Sequence, residues 1–179
     1  MENRLLSVGD KFRNRYRKVN GAEFYGQMLD IPDTSRVSNF LSARRYLRTG
    51  PKADIKPTDV VIIDAVKYIV AEHGTGFYKS PIYKHFKLFE VDTTAEWYKV
   101  IQTENALTGL FETERVLQST PVYISTQPKS LFNDSLKIQQ QAYQMIANVE
   151  VERNDILNGL IVTKVDKQLG IFIIEAKEQ

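Results

Sequence analysis

Cysteine is absent from the 179 residues. Disulfides and thiolate metal sites are therefore excluded. Histidine occurs only at His73 and His85, a spacing that does not fit one helical face, with no ligand cluster nearby. Six prolines and nine glycines are too few for a long disordered chain. No apolar run approaches the roughly 20 residues that cross a bilayer. The first ten residues, MENRLLSVGD, lack the apolar core of a signal peptide. The expected setting is cytoplasmic, or a particle assembled in a cytoplasm. There is no Gly-x-Ser-x-Gly elbow for a nucleophilic serine. The segment Gly74 to Ser80 resembles a phosphate loop only superficially, because no glycine directly precedes Lys79. The expectation from these absences is a chain that binds or builds, with no catalytic residues, no metal and no cofactor.

Hydrophobic residues make up 42% and charged residues 26%, which suits one globular domain or two small ones. Charge is unevenly placed. Residues 1–52 hold eleven Lys/Arg and five Asp/Glu, and the remainder holds thirteen and seventeen. That is the pattern of a basic arm on a mildly acidic body.

Read in order, Lys11 to Lys18 (KFRNRYRK) is a basic strand. Extended, it puts Arg13, Arg15 and Arg17 on one face, with Phe12, Asn14 and Tyr16 on the other. Asn20-Gly21 turns the chain so that Ala22 to Leu29 pairs back. Thr34 or Ser35 caps a helix whose stripe is Val37, Phe40, Leu41 and Leu47, and Gly50-Pro51 stops it. Val60 to Val70 reads as buried strand folded about Asp64. Ile82 to Val91, Trp97 to Thr103, Leu110 to Gln118 and Val122 to Ser125 read as further strands. Residues 129–149 suit a helix, with a strand as the alternative.

The C-terminal stretch Val151 to Ala176 reads as strand, Asn158-Gly159 turn, strand, turn and a final apolar strand from Ile171 to Ile174. Laid on Val151 to Leu157, the segment Ile55 to Val61 matches at Asp59 and Asp155, with Val66 on Val162 further along. That pairing suggests two similar β-units. The expected fold is mainly β: a small β-barrel or paired barrel-like sheets with one or two peripheral α-helices. Its expected divisions are a basic arm and helix over 1–52 and a β-rich body over 53–179. Within the body, the similar units span 53–103 and 151–179, joined by a mixed segment.

Residues Asn154 to Val165, followed by Gly170 and an apolar strand, resemble the small β-barrel neck proteins of tailed bacteriophages, the head-completion, head-closure or stopper proteins. The resemblance implies a non-enzymatic ring subunit of the head-tail connector, surrounding the DNA channel in a virion. It implies a homo-oligomer touching portal or tail subunits, with non-specific DNA contact and no membrane. Lys11, Arg13, Arg15, Arg17, Lys18, Arg44, Arg45 and Arg48 are then the candidate contacts to nucleic acid or to a partner. Two alternatives stand beside it. One is a stand-alone nucleic-acid-binding β-domain using the arginine-rich strand, with Phe12 and Tyr16 stacking. In the other, Glu175 and Lys177 resemble the metal-binding strand of PD-(D/E)xK nucleases, with Asp155 or Asp166 as the second carboxylate.

Overall fold

A computed structural model describes residues 14–30, 45–50, 53–72, 84–127 and 142–178. Among these residues every regular element is a strand and none is a helix. The chain divides into two compact units, Met1–Val91 with Gln168–Ile171, and Asp92–Lys167 with Phe172–Gln179. The fold is all-β, with one closed barrel and one curled sheet.

The barrel is built from β1 (Asn14–Lys18), β2 (Glu23–Asp30), β3 (Arg45–Thr49), β4 (Val60–Ile63), β5 (Val66–Glu72) and β6 (Lys84–Glu90). Their order is β1-β2-β3-β6-β5-β4, and β4 returns to β1 through Arg17 opposite Ile62 and Lys18 opposite Val61. Closure leaves neither edge of the sheet open. Side chains alternate along each strand, so Phe24, Leu47, Val61, Ile63, Tyr68, Val70, Phe86 and Leu88 fill the interior. A two-residue turn holds the β4–β5 hairpin. At β4–β5 both Asp64 and Ala65 have positive φ, which matches the right-handed strand twist. Residues 14–18, 23–30 and 45–49, expected within an arm and helix, are three of the six staves.

The helix expected to run to Gly50 is replaced over its described part by β3; residues 31–44 lie outside the described residues. Leu47 and Thr49 are fully buried at a spacing of two, and β3 pairs on both sides, with β2 and with β6. A helix at Arg45–Thr49 would strand the hydrogen-bonding groups of both neighbours, so tertiary pairing overrides the helical stripe.

Gly26 faces inward on β2 opposite Thr49. A Cβ built there meets Leu47 Cδ1 at 3.0 Å and the Arg48 carbonyl oxygen at 3.1 Å. Gly26→Ala is expected to destabilise the barrel by about 1–3 kcal/mol through overpacking, read by urea unfolding. The buried Thr49 Oγ1 has no hydrogen-bond partner among the described residues. Thr49→Val replaces that hydroxyl at constant shape and is expected to raise stability by about 1 kcal/mol in the same assay.

The second sheet is built from β7 (Thr93–Ala95), β8 (Trp97–Glu104), β9 (Phe111–Leu117), β10 (Val122–Gln127), β11 (Ala142–Ala147), β12 (Ile156–Leu157), β13 (Leu160–Gln168) and β14 (Ile171–Lys177). Its order is β7-β10-β11-β14-β13-β12-β8-β9. Val122, Ile124, Met145, Ala147, Val151, Leu157, Val162, Ile174 and Ala176 form its core. The helix expected over 129–149 is a strand over 142–147, while residues 128–141 lie outside the described residues. β11 lies between β10 and β14, with Met145 and Ala147 in the core and Ile146 buried on the opposite face. A segment apolar on both faces and hydrogen-bonded on both sides is an interior strand.

The second sheet repeats the path of the first. β10, β11, β14, β13, β12 and β8 stand in the order of β2, β3, β6, β5, β4 and β1, and β7 lies beside β10 as β1 lies beside β2. The loops before β4 and β12 agree in detail. Thr58 and Asn154 have φ of 75° and 76°. Thr58 N donates to the Val70 carbonyl and Asn154 N to the Val162 carbonyl, both at 2.9 Å. The Asp59 carboxylate accepts from Lys56 N, and the Asp155 carboxylate from Glu152 N, again both at 2.9 Å. Ile55 and Val151 are buried at the same place in each loop. β12 is two residues shorter than β4, so Val162 takes the place of Val70 and not of Val66. One element has no counterpart. The barrel passes from β1 to β2 by a tight turn at Val19–Ala22, whereas the second unit inserts the β8–β9 hairpin before β10.

Candidate functional site

The described members of the expected cationic contacts do not share one surface. Lys11, Arg13 and Arg44 lie outside the described residues. Arg15 and Arg17 point outward from β1, and both are exposed. Arg15 lies opposite Tyr25, is hydrogen-bonded to Glu23 and forms an ion pair with it. Arg48 points outward from β3, opposite Gln27 and His85. It stands two strands from β1, roughly 10 Å around the wall.

Lys18 and Arg45 point inward, at opposite ends of the barrel. Lys18 is 7% exposed, and its ammonium lies 2.8 Å from Asp59 Oδ2 and 3.6 Å from Asp54 Oδ2. Arg45 donates to the Tyr68 hydroxyl, lies 5.6 Å from the centre of its ring and pairs with Asp30 at 3.2 Å. Lys18 is buried in its pair, whereas the Arg45 side chain reaches from Tyr68 inside the barrel to the exposed Asp30. Tyr16 also faces inward and packs its ring against Phe24 at 5.8 Å, so it is not placed to stack on a base.

Burial raises the Tyr68 hydroxyl above its ordinary pKa of 10.0; Arg45 opposes that shift and Glu90 adds to it. A group raised on folding stabilises the fold below its unfolded value and loses that contribution as pH rises through the folded one. Stability is therefore expected to fall as pH climbs past the ordinary tyrosine value. Tyr68→Phe, though weaker at neutral pH, is expected to show a shallower alkaline slope in urea titrations.

Of the carboxylates in the nuclease alternative, Asp166 and Glu175 both lie within electrostatic reach of Lys164. Asp155 is 2% exposed and accepts from Trp97 Nε1 at 2.8 Å, Glu152 N at 2.9 Å and Val100 N at 3.4 Å. Trp97 stands opposite Leu157 as Lys18 stands opposite Val61. The indole thus meets Asp155 where the ammonium meets Asp59. Asp166 pairs with Lys164 at 2.6 Å. Glu175 and Lys177 lie on β14 opposite Gln144 and Ala142. Among the described residues no three His, Cys, Asp or Glu side chains gather as a metal site.

Among the described residues the most exposed large apolar side chains are on the β8–β9 hairpin. Leu107 is 96% exposed, Phe111 68% and Leu110 67%; Leu117 is exposed further along β9. The tip is held by its own hydrogen bonds. Asn105 N donates to the Leu110 carbonyl and Gly109 N to the Asn105 carbonyl, both at 2.8 Å, and Asn105 Oδ1 accepts from Leu107 N at 3.0 Å. Asn105 Nδ2 donates to Glu112 at 2.6 Å. Positive φ at Gly109 closes the loop. Residues 100–114 contain Glu104, Glu112 and Glu114 and no Lys or Arg. β9 pairs only with β8, so its outer edge is open among the described residues. Sequence reasoning placed a turn and a strand here without a role. The available signal was Leu107, Leu110 and Phe111 among turn residues, where surface loops are ordinarily polar.

Over the described residues these features define an all-β protein of one closed barrel and one curled sheet, with an exposed apolar and acidic hairpin on the sheet. No protein-family model matches the chain, and no curated protein or solved structure matches it either.

Proposed function

We propose that the protein is a non-enzymatic structural subunit of a bacteriophage virion, a ring component of the head-tail connector around the DNA channel. It assembles in the host cytoplasm as a homo-oligomer and meets portal or tail subunits. The observation that carries this is the hairpin: three large apolar side chains held out on a fixed loop, beside an open strand edge, suit a protein contact. The burial of Lys18 in an ion pair with Asp59 supports the same view, because it leaves one cation fewer for DNA. The resemblance of Asn154 to Val165 to neck proteins supplies the setting. The test is the composition of purified particles. Virions from the genome that encodes this chain are expected to contain it at a fixed copy number; gradient-purified virions without it would overturn the proposal.

A second function is favoured by Tyr25, which is exposed on the barrel wall opposite Arg15 and one strand from Arg17. Stacking on Tyr25 with phosphates at the two arginines would make the wall a nucleic-acid contact. Single-stranded DNA binding that weakens steeply with salt and is reduced by Tyr25→Ala would establish it. Binding unaffected by that change would remove it.

A further inference from the structure

We propose that the β8–β9 hairpin is the arm by which one copy of this chain seats on the barrel wall of a second copy. The inference rests on the ring-subunit proposal and names the contact that would build the ring.

Comparison of the two units isolates the arm. Where the barrel needs only the Val19–Ala22 turn to pass from β1 to β2, the second unit spends Tyr98 to Gln118 on a hairpin that returns to the same path. The hairpin tip adds little to its own core, since its leucines and phenylalanine face solvent. Its rigidity lowers the entropy lost on docking.

Charge selects the occupant. The tip carries three glutamates and no cation. Residues 1–91 hold sixteen Lys/Arg against ten Asp/Glu, whereas residues 92–179 hold eight against twelve. Ion pairs within the barrel unit cannot remove that excess. On the outer wall, Arg17, Ile62 and Lys67 lie in register across β1, β4 and β5. Two exposed cations thus flank a half-buried isoleucine, with exposed Tyr25 on the neighbouring strand. That surface complements leucines flanked by carboxylates. The two surfaces differ, so the contact is head-to-tail, and repeated contacts close into a ring or extend as a filament.

The experiment is sedimentation velocity across a concentration series at low and high salt. Four proteins are compared: the natural chain, Leu107→Asp/Leu110→Asp, Glu104→Lys/Glu114→Lys and Arg17→Glu/Lys67→Glu. Glu112 is left in place because it holds Asn105. The natural chain is expected to self-associate, less so at high salt. The leucine variant is expected to associate at least about tenfold more weakly, with unchanged circular dichroism because both sites are exposed. Each charge-reversed protein alone is expected to stay monomeric where the natural chain associates. An equal mixture of the two is expected to restore association, because every hairpin then finds an opposite wall. A natural chain that is monomeric at every concentration, association indifferent to the hairpin, or a mixture that stays monomeric would each overturn the arm. Those results leave the ring-subunit proposal to its own test in purified particles, where another surface or another protein would make the contact.

Discussion

Lys18→Ala is expected to lower the stability of the protein by about 3 kcal/mol, near the lower end for breaking a buried ion pair. The ammonium is almost wholly removed from water, and its nearest partner, Asp59, is a quarter exposed. Removing the lysine leaves a carboxylate at the barrel end with, among the described residues, the Lys56 amide as its remaining hydrogen-bond donor. Truncation also removes the buried aliphatic stem. Lys18→Met separates the two losses. It keeps most of the stem and deletes the charge, so it is expected to remain well below the natural protein. Adding Asp59→Asn to Lys18→Met should recover much of the deficit, since the amide oxygen still accepts from Lys56 while the unpaired charge is gone. Urea unfolding of the four corners of this cycle gives the coupling directly. A fully additive cycle would show that Lys18 acts through packing alone.

Asp155→Ala should have a comparable effect, about 3 kcal/mol, for a different reason. Three donors converge on this buried carboxylate, and the alanine variant leaves them without their acceptor at a cost of about 1–3 kcal/mol for each unsatisfied buried group. The Val100 contact, at 3.4 Å, is the weakest of the three. Asp155→Asn keeps an oxygen where Trp97 Nε1 and Glu152 N both donate, and it should lose only about 1 kcal/mol. Trp97 is the sole tryptophan, so its fluorescence reports on this loop without added probes. A red-shifted emission in folded Asp155→Ala, absent in Asp155→Asn, is the expected outcome. Unchanged emission and stability in the alanine variant would show that the loop is held by Val151 packing and its backbone bonds instead.

The paired positions Lys18 and Trp97 show why a contact residue is hard to recognise from its type. Alternation along KFRNRYRK separates Arg15 and Arg17 from Tyr16 correctly, and Lys18 falls on the face of Tyr16 by the same rule. Grouping Lys18 with the arginines as a surface cation weighs its charge above its position. A lysine is ordinarily exposed, and Asp59, brought beside β1 by the β1–β4 pairing, makes the buried place tolerable. Arg45 is a similar case: its helical neighbours suggest an exposed arginine face, whereas β3 turns it toward Tyr68.

The sequence by itself determined the features that are settled over a few residues. β-branched runs and period-two alternation marked most of the strands. Asn20-Gly21 and Asn158-Gly159 marked hairpin turns, because positive φ comes at low cost at those residues. The Asp59 and Asp155 segments marked equivalent loops, because each aspartate caps its own local backbone. Only the tertiary structure decided what depends on partners far along the chain. Arg45–Thr49 and Ala142–Ala147 are strands because strands on both sides need their hydrogen bonds, a demand that helix-like spacing within either segment does not record. The closed order of the barrel, the burial of Lys18 and the exposure of Leu107 have the same origin. Each follows from which distant segment occupies the adjacent space, and side-chain periodicity fixes the face of a strand without fixing what that face meets.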